Sequence, residues 1–128
     1  MSILDRFFKG DDTFEQYGWK VLTQAAQLEQ IVKDSHQKPV VIFKHSVRCG
    51  ISAMAKFNLE KDWDFTTENL DFYYLDIFAY RPISNLIAEK LGVVHQSPQL
   101  IVLKNGVPVF DTSHHLVNVG SIKQAITA

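Results

Sequence analysis

The chain is 128 residues long, 46% hydrophobic and 21% charged, which suits one water-soluble domain with its own apolar core and excludes a disordered or fibrous chain. A formal net charge of -1 supplies no electrostatic pull toward nucleic acid or an anionic membrane surface. Cys49 is the only cysteine, so no internal disulfide can form and nothing points to an oxidising compartment.

In chain order, Ile3, Leu4, Phe7 and Phe8 recur at helical spacing, so residues 1–12 are expected to form an N-terminal helical extension of a single 1–128 domain. That segment lacks the apolar run of a signal peptide, and no stretch reaches transmembrane length; a cytoplasmic monomer is the expectation. Residues 19–22 read as a short strand. Residues 25–35 place Leu28, Ile31 and Val32 on one helical face, with Glu29, Lys33 and Asp34 opposite. Pro39 breaks this helix before Val40, Val41, Ile42 and Phe43, a continuous apolar run that predicts a strand buried on both faces. A second helix is expected to begin at Cys49 and end near Asp62. Residues 71–78 are rich in β-formers and predict a third strand. Pro82 then opens a helix whose C-terminal signal is Gly92. Residues 99–104 and 107–111 predict two strands joined by the hairpin signal Asn105-Gly106, with Pro108 suited to an edge. Residues 120–127 close the chain as a helix. The order is βαβαβαββα, read as parallel βαβ units followed by one hairpin, with helices on both sheet faces.

Cys49 falls where the central strand hands over to a helix. The first turn of a helix presents unpaired N–H groups and the positive end of the macrodipole. Both favour a thiolate over a thiol, and Arg48 adds a permanent positive charge. Cysteines so placed are more acidic than the free side chain, whose pKa is ~8.5, and a stabilised thiolate also leaves readily from a mixed disulfide. The bland alternative, an inert buried cysteine, is weakened because Arg48 and Gly50 flank it rather than the apolar run.

The junction Cys49-Gly50-Ile51-Ser52 is similar to the Cys-x-x-Cys site of thioredoxins and glutaredoxins, with serine in the second position. Downstream, Ser97-Pro98-Gln99-Leu100-Ile101-Val102-Leu103-Lys104-Asn105-Gly106 resembles the thioredoxin segment in which a cis-proline precedes a strand. The string Lys44-His45-Ser46-Val47-Arg48-Cys49-Gly50-Ile51-Ser52-Ala53 resembles the monothiol bacilliredoxin (YtxJ-like) family, which typically has threonine where Val47 stands and proline where Gly50 stands. The resemblance implies an α/β thioredoxin-like fold, with a central mixed sheet of about five strands flanked by helices. It implies Cys49 as nucleophile, supported by Arg48 and by Ser52 as a hydrogen-bond donor to the thiolate. Ser97, Pro98, Gly50 and Ile51 would contact substrate. A cis bond at Pro98 would expose the Ser97 backbone to an extended client segment. The implied co-substrate is bacillithiol, with glutathione as the fallback and a coenzyme A-type thiol behind it; the implied partners are S-thiolated client proteins. No bound cofactor or metal is expected.

A reading from another class stays open: a thioredoxin-fold binding module that holds partners beside Pro98 without turnover. Lys44 and His45 could raise the local positive potential or play structural roles. His114-His115 suggests a metal site only weakly, because adjacent side chains diverge.

Overall fold

Strand β2 (Val40–His45) forms the middle of a five-stranded sheet because neither of its faces carries a group that needs water until Lys44. In this computed structural model, residues 16–127 are described. The proposed extension over residues 1–12 lies outside them. The remaining elements are β1 (Lys20–Val21), α1 (Ala26–Asp34), α2 (Gly50–Asp62), β3 (Asp71–Asp76), α3 (Arg81–Leu91), β4 (Gln99–Lys104), β5 (Val107–Ser113), a 3-10 turn (His114–Leu116) and α4 (Val119–Thr127). The sheet order is β1-β3-β2-β4-β5.

Alternation along the strands divides the core into two layers. Val41, Phe43, Phe72, Tyr74, Leu100 and Val102 face α2 and α4, meeting Leu59 and Ile122. Val40, Ile42, Tyr73, Leu75, Ile101 and Leu103 face α1 and α3, meeting Ile31 and Ile87. Trp19 closes the first layer, its ring 4.5 Å from that of Phe72 and 5.2 Å from that of Trp63.

Local signals account for the boundaries. Helix α1 has no side-chain cap at Ala25; instead Gln27 Oε1 accepts from the Thr23 and Gln24 amides. Gly92 ends α3 in the left-handed conformation, at φ 68°. Asn105 and Gly106 both take positive φ, as a tight primed hairpin turn requires. Strand β2 runs past the apolar run Val40–Phe43 to include Lys44 and His45, and β5 runs on to Ser113 rather than stopping at Asp111.

One topological expectation needs correction. The units β1-α1-β2 and β2-α2-β3 are parallel, but β4 pairs antiparallel with β2. After α3 the chain returns to the carboxyl end of β2 before β4 begins, so that Gln99 stands opposite Lys44. The sheet is therefore mixed from its centre outward, and the Ser97-Pro98 segment is delivered to the same end as Cys49.

Candidate active site

The loop between β2 and α2 is a tight turn that the helix itself holds in place. The Cys49 amide donates to the Ser46 carbonyl at 3.2 Å, and the Ala53 amide donates to the Cys49 carbonyl at 3.0 Å. The Ser46 amide donates to Ser52 Oγ at 2.9 Å. Cys49 is the N-cap residue of α2, in extended conformation, and its sulfur caps none of the helix N–H groups. The thiol is part-exposed. No acidic residue occupies the first turn of α2, so no carboxylate competes there for the positive end of the helix.

The structure brings Arg48, Cys49, Gly50, Ile51 and Ser52 together at this junction. Ser52 is buried and accepts a hydrogen bond from the Ser46 amide, which points its side chain back at the loop that carries Cys49. Arg48 is exposed, and its guanidinium carbon stands 4.0 Å from the centroid of the Phe78 ring, a cation–π contact. The charge is thus held by an aromatic face at the surface, where salt screens it. Arg48→Ala should slow alkylation of Cys49 by iodoacetamide at pH 7 by only about twofold, as expected for a screened surface charge. A tenfold loss in a stopped-flow assay would show that Arg48 leaves Phe78 and engages the sulfur.

Pro98 stands immediately before β4, at the end of the sheet where β2 hands over to α2. Its bond to Ser97 is cis, and its carbonyl accepts from the His114 amide at 3.0 Å. The Ser97 hydroxyl is buried without a hydrogen-bond partner among the described residues. His114 holds a left-handed backbone at φ 56°, a strained choice for a residue with a Cβ. His114 and His115 are exposed, and among the described residues no three His, Cys, Asp or Glu side chains gather as a metal site.

Lys44 and His45 lie on opposite faces of β2. His45 is buried among Phe43 and Tyr74, and its Nδ1 has no hydrogen-bond partner among the described residues. Burial and, after it, the charge of Lys56 push its pKa down. Lys44 is fully buried, and its Nζ donates to the Ser84 carbonyl at 3.2 Å and contacts His95 Nδ1 at 3.4 Å. Burial, aided by the charge of Arg81, lowers its pKa to about 8. Ser84 Oγ lies 3.1 Å from the same His95 nitrogen. Gln99, also fully buried, donates to the Val94 carbonyl at 2.9 Å and accepts from the Gln96 amide at 3.3 Å. Sequence reading did not assemble this cluster. Its one advance signal was Lys44 itself, a lysine ending an otherwise unbroken apolar run.

The profile of the family described as monothiol bacilliredoxin BrxC matches residues 20–122. The chain belongs to the monothiol bacilliredoxin family. A solved thioredoxin-fold structure, assigned in its description as a provisional oxidoreductase, is 35% identical over 88% of this chain and 96% of its own, with a TM-score of 0.74. The thioredoxin of Malassezia sympodialis is similar in fold, at 24% identity over 84% of this chain and 87% of its own, with a TM-score of 0.63. Fasciola hepatica thioredoxin, at 22% identity over 84% of this chain and 96% of its own, matches with a TM-score of 0.61. Bacilliredoxin membership and the thioredoxin fold together support a thiol redox function. No helix among the described residues is long and apolar enough to cross a membrane.

Proposed function

We propose that Cys49 removes a low-molecular-weight thiol, bacillithiol by preference, from cysteines of client proteins. The Cys49 thiolate attacks the sulfur of the small thiol in the client's mixed disulfide. That disulfide breaks, the client cysteine departs as a thiolate, and Cys49 carries the small thiol. A second molecule of the small thiol then attacks the adduct. Cys49 is released as thiolate, and the two small thiols leave joined by a disulfide. Reduction of the client sulfur is thus balanced by oxidation of the one free small thiol that enters, the other having been in a disulfide throughout.

The observation that carries this reading is the pairing of a part-exposed Cys49 at the start of α2 with Ser52 in the place of a second sulfur. An adduct at Cys49 has no internal thiol to resolve it, so the second step needs an outside thiol. The leaving and attacking sulfurs both work beside the helix terminus, which stabilises developing thiolate charge. The backbone of Ser97, next to Pro98, offers an extended client segment a strand to pair with.

The test uses a peptide whose single cysteine carries bacillithiol, and the same peptide carrying glutathione. On mixing, wild type should gain the mass of the small thiol and free the peptide, faster with bacillithiol. Cys49→Ser should gain nothing. If neither peptide leaves an adduct on Cys49, exchange is excluded and a binding module takes its place.

A further inference from the structure

The buried Lys44 stands apart from the exchange chemistry. Its side chain lies on the α1/α3 face of β2, opposite the face of His45 and α2. Its contacts join two places, the Ser84 carbonyl on α3 and His95 on the loop of residues 93–98 that leads into Pro98. His95 belongs to this loop, and Gln99, directly across the sheet from Lys44, holds the loop by the Val94 carbonyl and the Gln96 amide.

The contacts of His95 Nδ1 select a tautomer of the neutral ring. A lysine ammonium has only hydrogens to offer, and the Ser84 hydroxyl approaches the same ring nitrogen. Nδ1 must then present its lone pair, and the neutral ring carries its proton on Nε2. A proton on Nδ1 would face the Lys44 ammonium at 3.4 Å. The charged groups acting on His95 are Lys44 from β2 and Arg81 from α3, both positive. Neither has a carboxylate partner among the described residues. Burial and these two charges all hold His95 below its ordinary pKa.

We propose that Lys44, Ser84 and His95 act as a proton-sensitive clamp that positions the Ser97-Pro98 edge for client pairing, closed while His95 is neutral and released when it is protonated. The client side rests on the exchange reading above; the clamp rests on the contacts alone. Lys44 and His95 are positioning residues. They set how well a client pairs with the edge and leave the intrinsic reactivity of Cys49 untouched.

Two variants separate the possibilities. His95→Asn places an amide oxygen where Nδ1 stands, so it keeps the acceptor and cannot be protonated. His95→Leu removes the acceptor. Two readouts are taken at pH 7.5 and pH 5.5. The first is the hydrogen-exchange protection factor of the Gln96 amide, which corrects for the intrinsic pH dependence of exchange. The second is the KM for a peptide carrying a glutathione mixed disulfide, with iodoacetamide alkylation of Cys49 as a control at each pH. Wild type should lose about tenfold in protection and gain about tenfold in KM on acidification. His95→Asn should match wild type at pH 7.5 and stay flat. His95→Leu should be open at both pH values, with alkylation unchanged from wild type. The clamp is refuted if wild type shows no pH-dependent loss of protection, or if His95→Asn shows the same loss. Protection needs no catalysis, so a protein that exchanged with no peptide would overturn the proposed function while the amide readout still decided the clamp.

Discussion

Ser52→Cys should turn a stable mixed disulfide at Cys49 into a transient one. The Ser52 side chain already points into the loop that carries Cys49, through its bond to the Ser46 amide. Residues three apart at a helix start bring their Cβ atoms to ~5–6 Å. Cys49 is not yet helical, which lets its side chain swing closer still. The introduced thiolate then attacks Cys49, the small thiol leaves, and a Cys49–position 52 disulfide remains. Exchanging oxygen for sulfur weakens the acceptor for the Ser46 amide and should cost about 1 kcal/mol of stability. Each protein is loaded with bacillithiol or glutathione and followed by intact mass without added thiol. Wild type keeps its adduct. The variant loses it and ends lighter than its reduced form by two hydrogens. Retention of the adduct by the variant would mean that position 52 does not reach the sulfur.

Lys44→Met should stabilise the fold at neutral pH. A lone ammonium in the core is disfavoured, which is why its pKa falls to about 8 from 10.5. The gap corresponds to a ceiling of roughly 3 kcal/mol, and replacement of buried charge by an apolar side chain of similar length commonly recovers about 1–3 kcal/mol. The substitution leaves His95 Nδ1 its contact with Ser84 Oγ, and the bond it removes is the one from Nζ to the Ser84 carbonyl. The sign with pH is defined. Between pH 8 and 10.5 the unfolded lysine holds its proton while the folded one gives it up, so wild-type stability from this group rises with pH. The advantage of Lys44→Met is full at pH 7 and shrinks toward pH 10. Urea unfolding of both proteins at the two pH values measures it, and groups common to both cancel. A methionine variant less stable at pH 7 would show that the ammonium makes more of its contacts than burial costs. A gain in stability with a loss of client binding would mark Lys44 as retained for function.

Much of the fold could be read from residues close in sequence. Residues 99–104 were bounded correctly because an apolar run met Asn105-Gly106, and Gly92 marked the end of α3 because only glycine takes that conformation cheaply. The Cys49 junction was equally legible, since strand, cysteine and helix are contiguous. What escaped depends on pairing across distance. The direction of β4 turns on where residues 92–98 return, which no local pattern states. The bond from Lys44 to Ser84 spans 40 residues, and His95 gains its meaning only from Lys44 and Ser84. Arg48 was read as a charge beside sulfur, and its stacking on Phe78 needed the β3–α3 connection to be in place.

Strand β5 forms one border of the sheet, and its register with β4 slips between Val102 and Leu103, where Pro108 lies opposite Leu103 and Val109 is the extra residue. A border with a missing N–H and a bulge is a poor template for a neighbouring chain. The opposite border, β1, is only two residues long. Unwanted lateral stacking into larger assemblies is therefore discouraged at both margins. Under the proposed exchange function, pairing with a client would fall to the backbone just before β4, away from both borders.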